Sequence, residues 1–194
     1  MASSHDLQNK SNGTVRTAIA LDRGWTFHAT DDPSRTRPVA QFPTNIHLDL
    51  LHHGIIPDPN YGKNELQVQW VGEKDWTYKT TFVVPHLAGL APTDETSWHY
   101  DLVFEGLDTF ATVKLNSNIL FTSENMFLPV RIDCGELLKQ GTNELEIEFE
   151  SCWRRGKEEQ EKYPNHNWAC WNGDPSRLAV RKAQYQYVSG LISI

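Results

Sequence analysis

The residues that could do chemistry in this chain are dispersed and form no compact motif. No glycine-rich phosphate loop, HExxH or GxSxG occurs. Hydrolysis of a glycosidic bond needs two carboxylates flanking the scissile bond. Two Asn-Glu dipeptides offer candidates, Asn64-Glu65 and Asn143-Glu144. Glu144 falls on the polar side of an alternating run that also carries Glu146, Glu148 and Glu150. A carboxylate on such a solvated face stays ionised and is a poor general acid. Glu65 borders a loop, where a local hydrogen bond is its expected role. Both read as structural, and no catalytic residue is assigned. The chain has 8 histidines. His52-His53 is the one adjacent pair, and neighbouring helical positions point apart. Cys134, Cys152 and Cys170 are evenly spaced in a way that matches no metal-ligand pattern. No metal and no cofactor is expected.

The tryptophans say more. A sugar ring presents a flat C–H face that stacks on an indole, and the indole N–H is a donor. Trp168 and Trp171 fall in a loop, where binding residues concentrate. They are the candidate substrate-binding residues. Trp25, Trp70 and Trp76 are expected in the core.

The bulk numbers bound the partners. With 194 residues the chain makes one domain or two small ones, and a (β/α)₈ barrel of about 250 residues does not fit. Hydrophobic residues make up 39%, too many for a disordered chain. Lys and Arg total 18 against 25 Asp and Glu, a net charge of −7. That disfavours nucleic acid and a basic membrane-surface helix. No stretch is long and apolar enough to span a bilayer, and no apolar signal segment opens the chain. Three cysteines, an odd count, suit a reducing compartment. The expected location is cytoplasmic.

Short strands must position these residues. Residues 1–13 are polar and aperiodic and read as a disordered leader. The first ordered segment is expected from Val15 to Leu21. Trp25 to Ala29, Trp76 to Val84, Trp98 to Glu105, Ala111 to Leu115, Ile119 to Thr122, Val130 to Asp133 and Asn143 to Glu150 alternate as strands. Tyr100, Leu102 and Phe104 should point inward. The glutamate face of 143–150 is expected to guard an edge. Thr44 to Gly54 reads as a helix capped by Thr44 and closed by Gly54. Cys152 to Tyr163 could be helical, and a final strand should run from Leu178 to Tyr187. Strands at regular spacing with connecting helices predict an all-β, antiparallel jelly-roll sandwich.

Several runs add a resemblance. They are Gly54-Ile55-Ile56-Pro57-Asp58-Pro59-Asn60-Tyr61-Gly62-Lys63-Asn64-Glu65, Gln69-Trp70-Val71-Gly72-Glu73-Lys74-Asp75-Trp76-Thr77-Tyr78 and Phe104-Glu105-Gly106-Leu107-Asp108 continuing to Asn116. Asn125-Met126-Phe127, Trp171-Asn172-Gly173-Asp174-Pro175-Ser176-Arg177 and Val180-Arg181-Lys182-Ala183-Gln184-Tyr185 follow in order. Together they resemble the N-terminal sugar-binding-like β-sandwich of glycoside hydrolase family 2, most of all in its fungal intracellular β-mannosidases. The resemblance implies a galactose-binding-domain-like jelly roll over 14–187 that packs on a catalytic barrel. It implies a complete enzyme that removes terminal, non-reducing β-D-mannose with retention, acting on mannose-containing oligosaccharides. Retention uses two carboxylates about 5 Å apart. In the family both are glutamates on the barrel, and no position here matches them.

After Tyr185 the family continues through His and an aromatic into Gly-Trp-Asp-Trp-Gly-Pro, a loop that touches the sugar. Here the match fails from Val188, leaving 188–194 as a non-matching tail. The expectation is a truncated fragment that is inactive alone. The alternatives are a free-standing carbohydrate-binding module that uses Trp168 and Trp171, and a non-catalytic interaction domain.

Overall fold

The structure, a computed structural model, describes residues 18–84 and 99–166. Among the described residues eight strands form two antiparallel sheets. The strands are β1 (Thr26–Ala29), β2 (Arg37–Pro38), β3 (Trp76–Val83), β4 (Asp101–Phe104), β5 (Ala111–Leu115), β6 (Asn118–Ser123), β7 (Val130–Asp133) and β8 (Thr142–Phe149). The larger sheet has the order β2-β1-β3-β8-β5-β6, and β4 pairs with β7 in the smaller one. The helices are α1 (Ile46–His52) and α2 (Cys152–Lys162). The all-β architecture read from the strand spacing is therefore present. The leader and the strand expected at Leu178 to Tyr187 lie outside the described residues. Of the expected first segment, residues 18–21 are described and enter no strand.

Alternation drives the larger sheet. β3 and β8 pair over their full length, from Trp76 opposite Phe149 to Val83 opposite Thr142. Tyr78, Leu145, Ile147, Val113 and Leu115 are buried in the core. Phe27 from β1 stacks on Tyr78, and Phe104 from the smaller sheet meets Phe121 edge-on. Each such side chain takes roughly 150–250 Å² of aromatic surface from water. The hairpin β5–β6 turns on Asn116 and Ser117, both at positive φ. Two left-handed residues match the twist of the strands they join.

Three expectations need correction. Asn45, not Thr44, caps α1: its Oδ1 accepts the Leu48 N–H at 3.0 Å. Thr44 is instead fully buried, and its hydroxyl donates to the Asn45 carbonyl at 3.3 Å. The far end of α1 closes as read: Gly54 takes φ +64°, and Gly54 N–H and Ile55 N–H bond the Leu51 and Leu50 carbonyls. Tyr100 is not inward. It lies just before β4, at the end of the two-stranded sheet, and is 37% exposed, with its carbonyl accepting Cys134 N–H one step beyond the Asp101–Asp133 pair. The glutamates of β8 guard no edge, since β8 lies between β3 and β5.

Candidate functional site

The outer face of the larger sheet is where β8 displays its carboxylates. The pairing sets Lys79 and Lys114 opposite Glu146 on either side. Lys114 Nζ lies 3.0 Å from Glu146 and 2.7 Å from Glu148, and Lys79 bonds Glu146 as well. Partial burial would raise the Glu146 pKa, but hydrogen bonds from the two lysines outweigh it and bring it below the usual range. A carboxylate held ionised between two ammonium groups donates no proton. Glu144 is exposed at the same face, and Glu65 is exposed in a 3-10 turn over Asn64–Leu66. Both are open to water, where a carboxylate stays ionised and is a poor general acid.

Among the described residues one carboxylate is buried at the inner face, Asp49 on α1. It is 2% exposed and accepts the Tyr78 hydroxyl at 2.8 Å. Burial pushes its pKa up, and the Tyr78 hydrogen bond only partly opposes that. A raised carboxylate is a common sign of an acid catalyst, yet this one is sealed beneath the helix. It fastens α1 to β3. His53 helps, with Nε2 bonded to the Pro38 carbonyl at 2.7 Å and its ring on Phe27. Among the described residues no group of three His, Cys, Asp or Glu could hold a metal ion. Cys134 is a buried thiol. No described helix is long and apolar enough to cross a membrane.

α2 is locked at the end of the larger sheet. Ser151 caps it, accepting Arg154 N–H and donating to the Gly72 carbonyl. Arg154 grips Asp75 through both carboxylate oxygens at 2.9 and 3.0 Å. Arg155 lies 4.7 Å over the Phe110 ring. These bonds join Gly72–Asp75 to the start of the segment that leads on to residue 167. Trp25 and Trp76 are buried and Trp70 is partly so. Trp168 and Trp171, the sugar-binding candidates, lie outside the described residues.

Two further features were not legible as sites. The first is a pinned loop over 54–66. Asp58 Oδ1 accepts Asn60 N–H, and Asn64 Nδ2 donates to the Asp58 carbonyl. The loop holds Tyr61 78% exposed and Leu66 65% exposed. The second is a cleft of about 190 Å³ between residues 22–25 and 39–42. Its walls come from segments that the strand pattern treats as separate connections. A third motif gains its reason: a Cβ on Gly106 would stand 2.6 Å from the Met126 carbonyl oxygen. Only glycine lets the two backbones approach, so the runs around Gly106 and Met126 form one corner.

Comparison with known proteins agrees with this architecture. A β-mannosidase B from Thermothelomyces thermophilus is 54% identical over 173 residues, which is 89% of this chain and 19% of that protein. A β-mannosidase B from Neosartorya fischeri is 45% identical over 86% of this chain, again 19% of its own length. The chain thus spans about a fifth of the curated relatives it matches. The crystal structure of a β-D-mannosidase from Dictyoglomus thermophilum matches with a TM-score of 0.73 and 35% identity, over 86% of this chain and 19% of that one. An exo-chitosanase from Amycolatopsis orientalis, with TM-score 0.54 and 20% identity over 66% of this chain and 16% of its own, shares the fold alone. Residues 25–189 match the family described as glycosyl hydrolase 2 galactose-binding domain-like, and the chain belongs to that family.

Proposed function

We propose that this chain serves as the sugar-binding-like sandwich domain of a β-mannosidase, an enzyme that hydrolyses terminal, non-reducing β-D-mannose residues in β-D-mannosides. The observation that carries this reading is the 54% identity to a β-mannosidase B across 89% of the chain. The domain itself is structural. Among the described residues the only buried carboxylate is sealed under α1, and the outer glutamates are paired with lysine or open to water. The partner is a catalytic domain, and the rigid apolar loop at Tyr61 and Leu66 supports such docking. Substrates of the mannose-containing class are reached through the whole enzyme. A charge of −7 argues against nucleic acid. The odd count of three cysteines and the buried Cys134 thiol support a reducing, cytoplasmic setting.

A chimaera tests this. Residues 25–166 replace the matching segment of the Thermothelomyces enzyme, and hydrolysis of an aryl β-mannoside is followed. A folded chimaera with turnover within about tenfold of the parent is expected. A folded chimaera without turnover would overturn the assignment.

A further inference from the structure

We propose that α1 is a pH-sensitive latch: protonated Asp49 keeps the helix docked on the larger sheet, and ionised Asp49 lets residues 45–55 open away while the sheet stays folded. α1 has seven residues, and isolated helices shorter than about 12–15 residues are marginal in water. Packing must therefore hold it. Its buried residues are Asp49 and Leu50, with Ile46 and Leu51 partly covered. Half of the buried anchor is thus a carboxyl group, joined to the Tyr78 hydroxyl at 2.8 Å. The unit has defined ends. Asn45 starts it by accepting Leu48 N–H at 3.0 Å, and Gly54 ends it at φ +64°. The other side of the contact is firmer, because Tyr78 stands on β3, which pairs with β8 over its full length.

The groups around Asp49 set the direction in which pH acts. Tyr78 faces it from β3. Phe27 of β1 stacks on Tyr78 and Phe149 of β8 meets it edge-on, and neither carries a charge. The other titratable groups acting on Asp49 are His52 and His53, at the end of its own helix. Burial is the largest influence on the carboxyl and pushes its pKa up. A charged imidazole opposes burial, but a histidine sheds its charge towards neutral pH. Rising pH therefore puts a negative charge on Asp49 and withdraws positive charge beside it. A buried carboxylate without a cation is costly. Moving a short helix into water exposes far less core than unfolding the sheet, so the relief is local. Docking is tightest below the ordinary carboxylate range and weakens as pH rises through the raised value. The latch belongs to the sandwich alone and stands apart from the glycosidase reading.

The test is amide hydrogen exchange read by NMR on the 194-residue chain from roughly pH 4 to 7, corrected for the intrinsic pH dependence of exchange. At the upper end the amides of 49–55 should be at least about tenfold less protected than those of β3 and β8. Across the range their protection should fall about threefold or more, in step with the titration of the Asp49 carboxyl carbon. Asp49→Asn keeps the side-chain shape and cannot ionise, so its protection over 49–55 should stay constant. The carboxyl titration decides the matter in the parent even where that variant fails to fold. Protection over 49–55 equal to that of β3 and β8 would mean that the helix opens only with the whole domain, and would overturn the latch. A fall that does not track Asp49, no fall, or an equal fall in Asp49→Asn would overturn it too.

Discussion

Two carboxylates on opposite faces of the larger sheet have been pushed in opposite directions. Asp49 lies under the inner face and reaches one hydroxyl, that of Tyr78. Glu146 stands on the outer face between Lys79 and Lys114. Burial favours the protonated form of both. One neutral donor does not offset it at Asp49, whereas two ammonium groups do at Glu146. The inner carboxylate is thus a fastener in a core made by packing, and the outer one is part of a charge ladder on a solvated surface.

Breaking each face in turn should show that difference. The largest loss belongs to the core. Leu145 is fully buried on the central strand, and Leu145→Ala should cost about 2–5 kcal/mol in urea unfolding. Next comes Gly106→Ala, about 1–3 kcal/mol by the same measurement, since the new Cβ meets the Met126 backbone rather than a movable side chain. Tyr78→Phe should follow at about 1–2 kcal/mol, because it strands Asp49 in the core without its donor. The outer face should respond least: Glu146→Gln costs about 1 kcal/mol, and the loss shrinks as salt is raised.

The pH dependence sharpens the contrast through its sign. The folded state holds the Asp49 proton more tightly than the unfolded chain does. Its contribution is therefore fullest in acid and is lost as pH rises through the raised value. Glu146 runs the other way: its contribution is present above the ordinary carboxylate range and is lost as pH falls through the lowered value. Asp49→Asn should accordingly gain on the parent as pH rises from roughly 3 to 7, and Glu146→Gln should lose on it. Unfolding curves across that range check both slopes. Parallel slopes would mean that the two environments are not different in kind.

Much of the fold was written in alternation. β3, β8 and the β5–β6 hairpin follow from period-two patterns, and Gly54 marks the end of α1. What failed depended on partners distant in the chain. Thr44 and Asn45 are both good caps, and nothing local shows that Thr44 is buried while Asn45 accepts the Leu48 N–H. Tyr100 continues an inward alternation, but it stands one step beyond the last β4–β7 pair, where the strand ends and its ring stays exposed. The glutamates of β8 look like edge protection until β3 and β5 arrive on either side, each bringing a lysine. The cleft at Trp25 and Phe42 was hidden for a similar reason. Its walls are separate in sequence, and Trp25 alone carries only the signal of a core residue. The raised Asp49 was equally invisible, since nothing local shows that Tyr78 lies above it.

The role proposed for this chain is a sandwich domain that supports β-mannoside hydrolysis from within a larger enzyme, with no turnover expected of the domain alone. The direct measurement is release of the aryl group from an aryl β-D-mannoside by the purified 194-residue chain. The account predicts release at the rate of the protein-free blank at every protein concentration. Release that rises in proportion to the protein, with saturation in substrate, would contradict it.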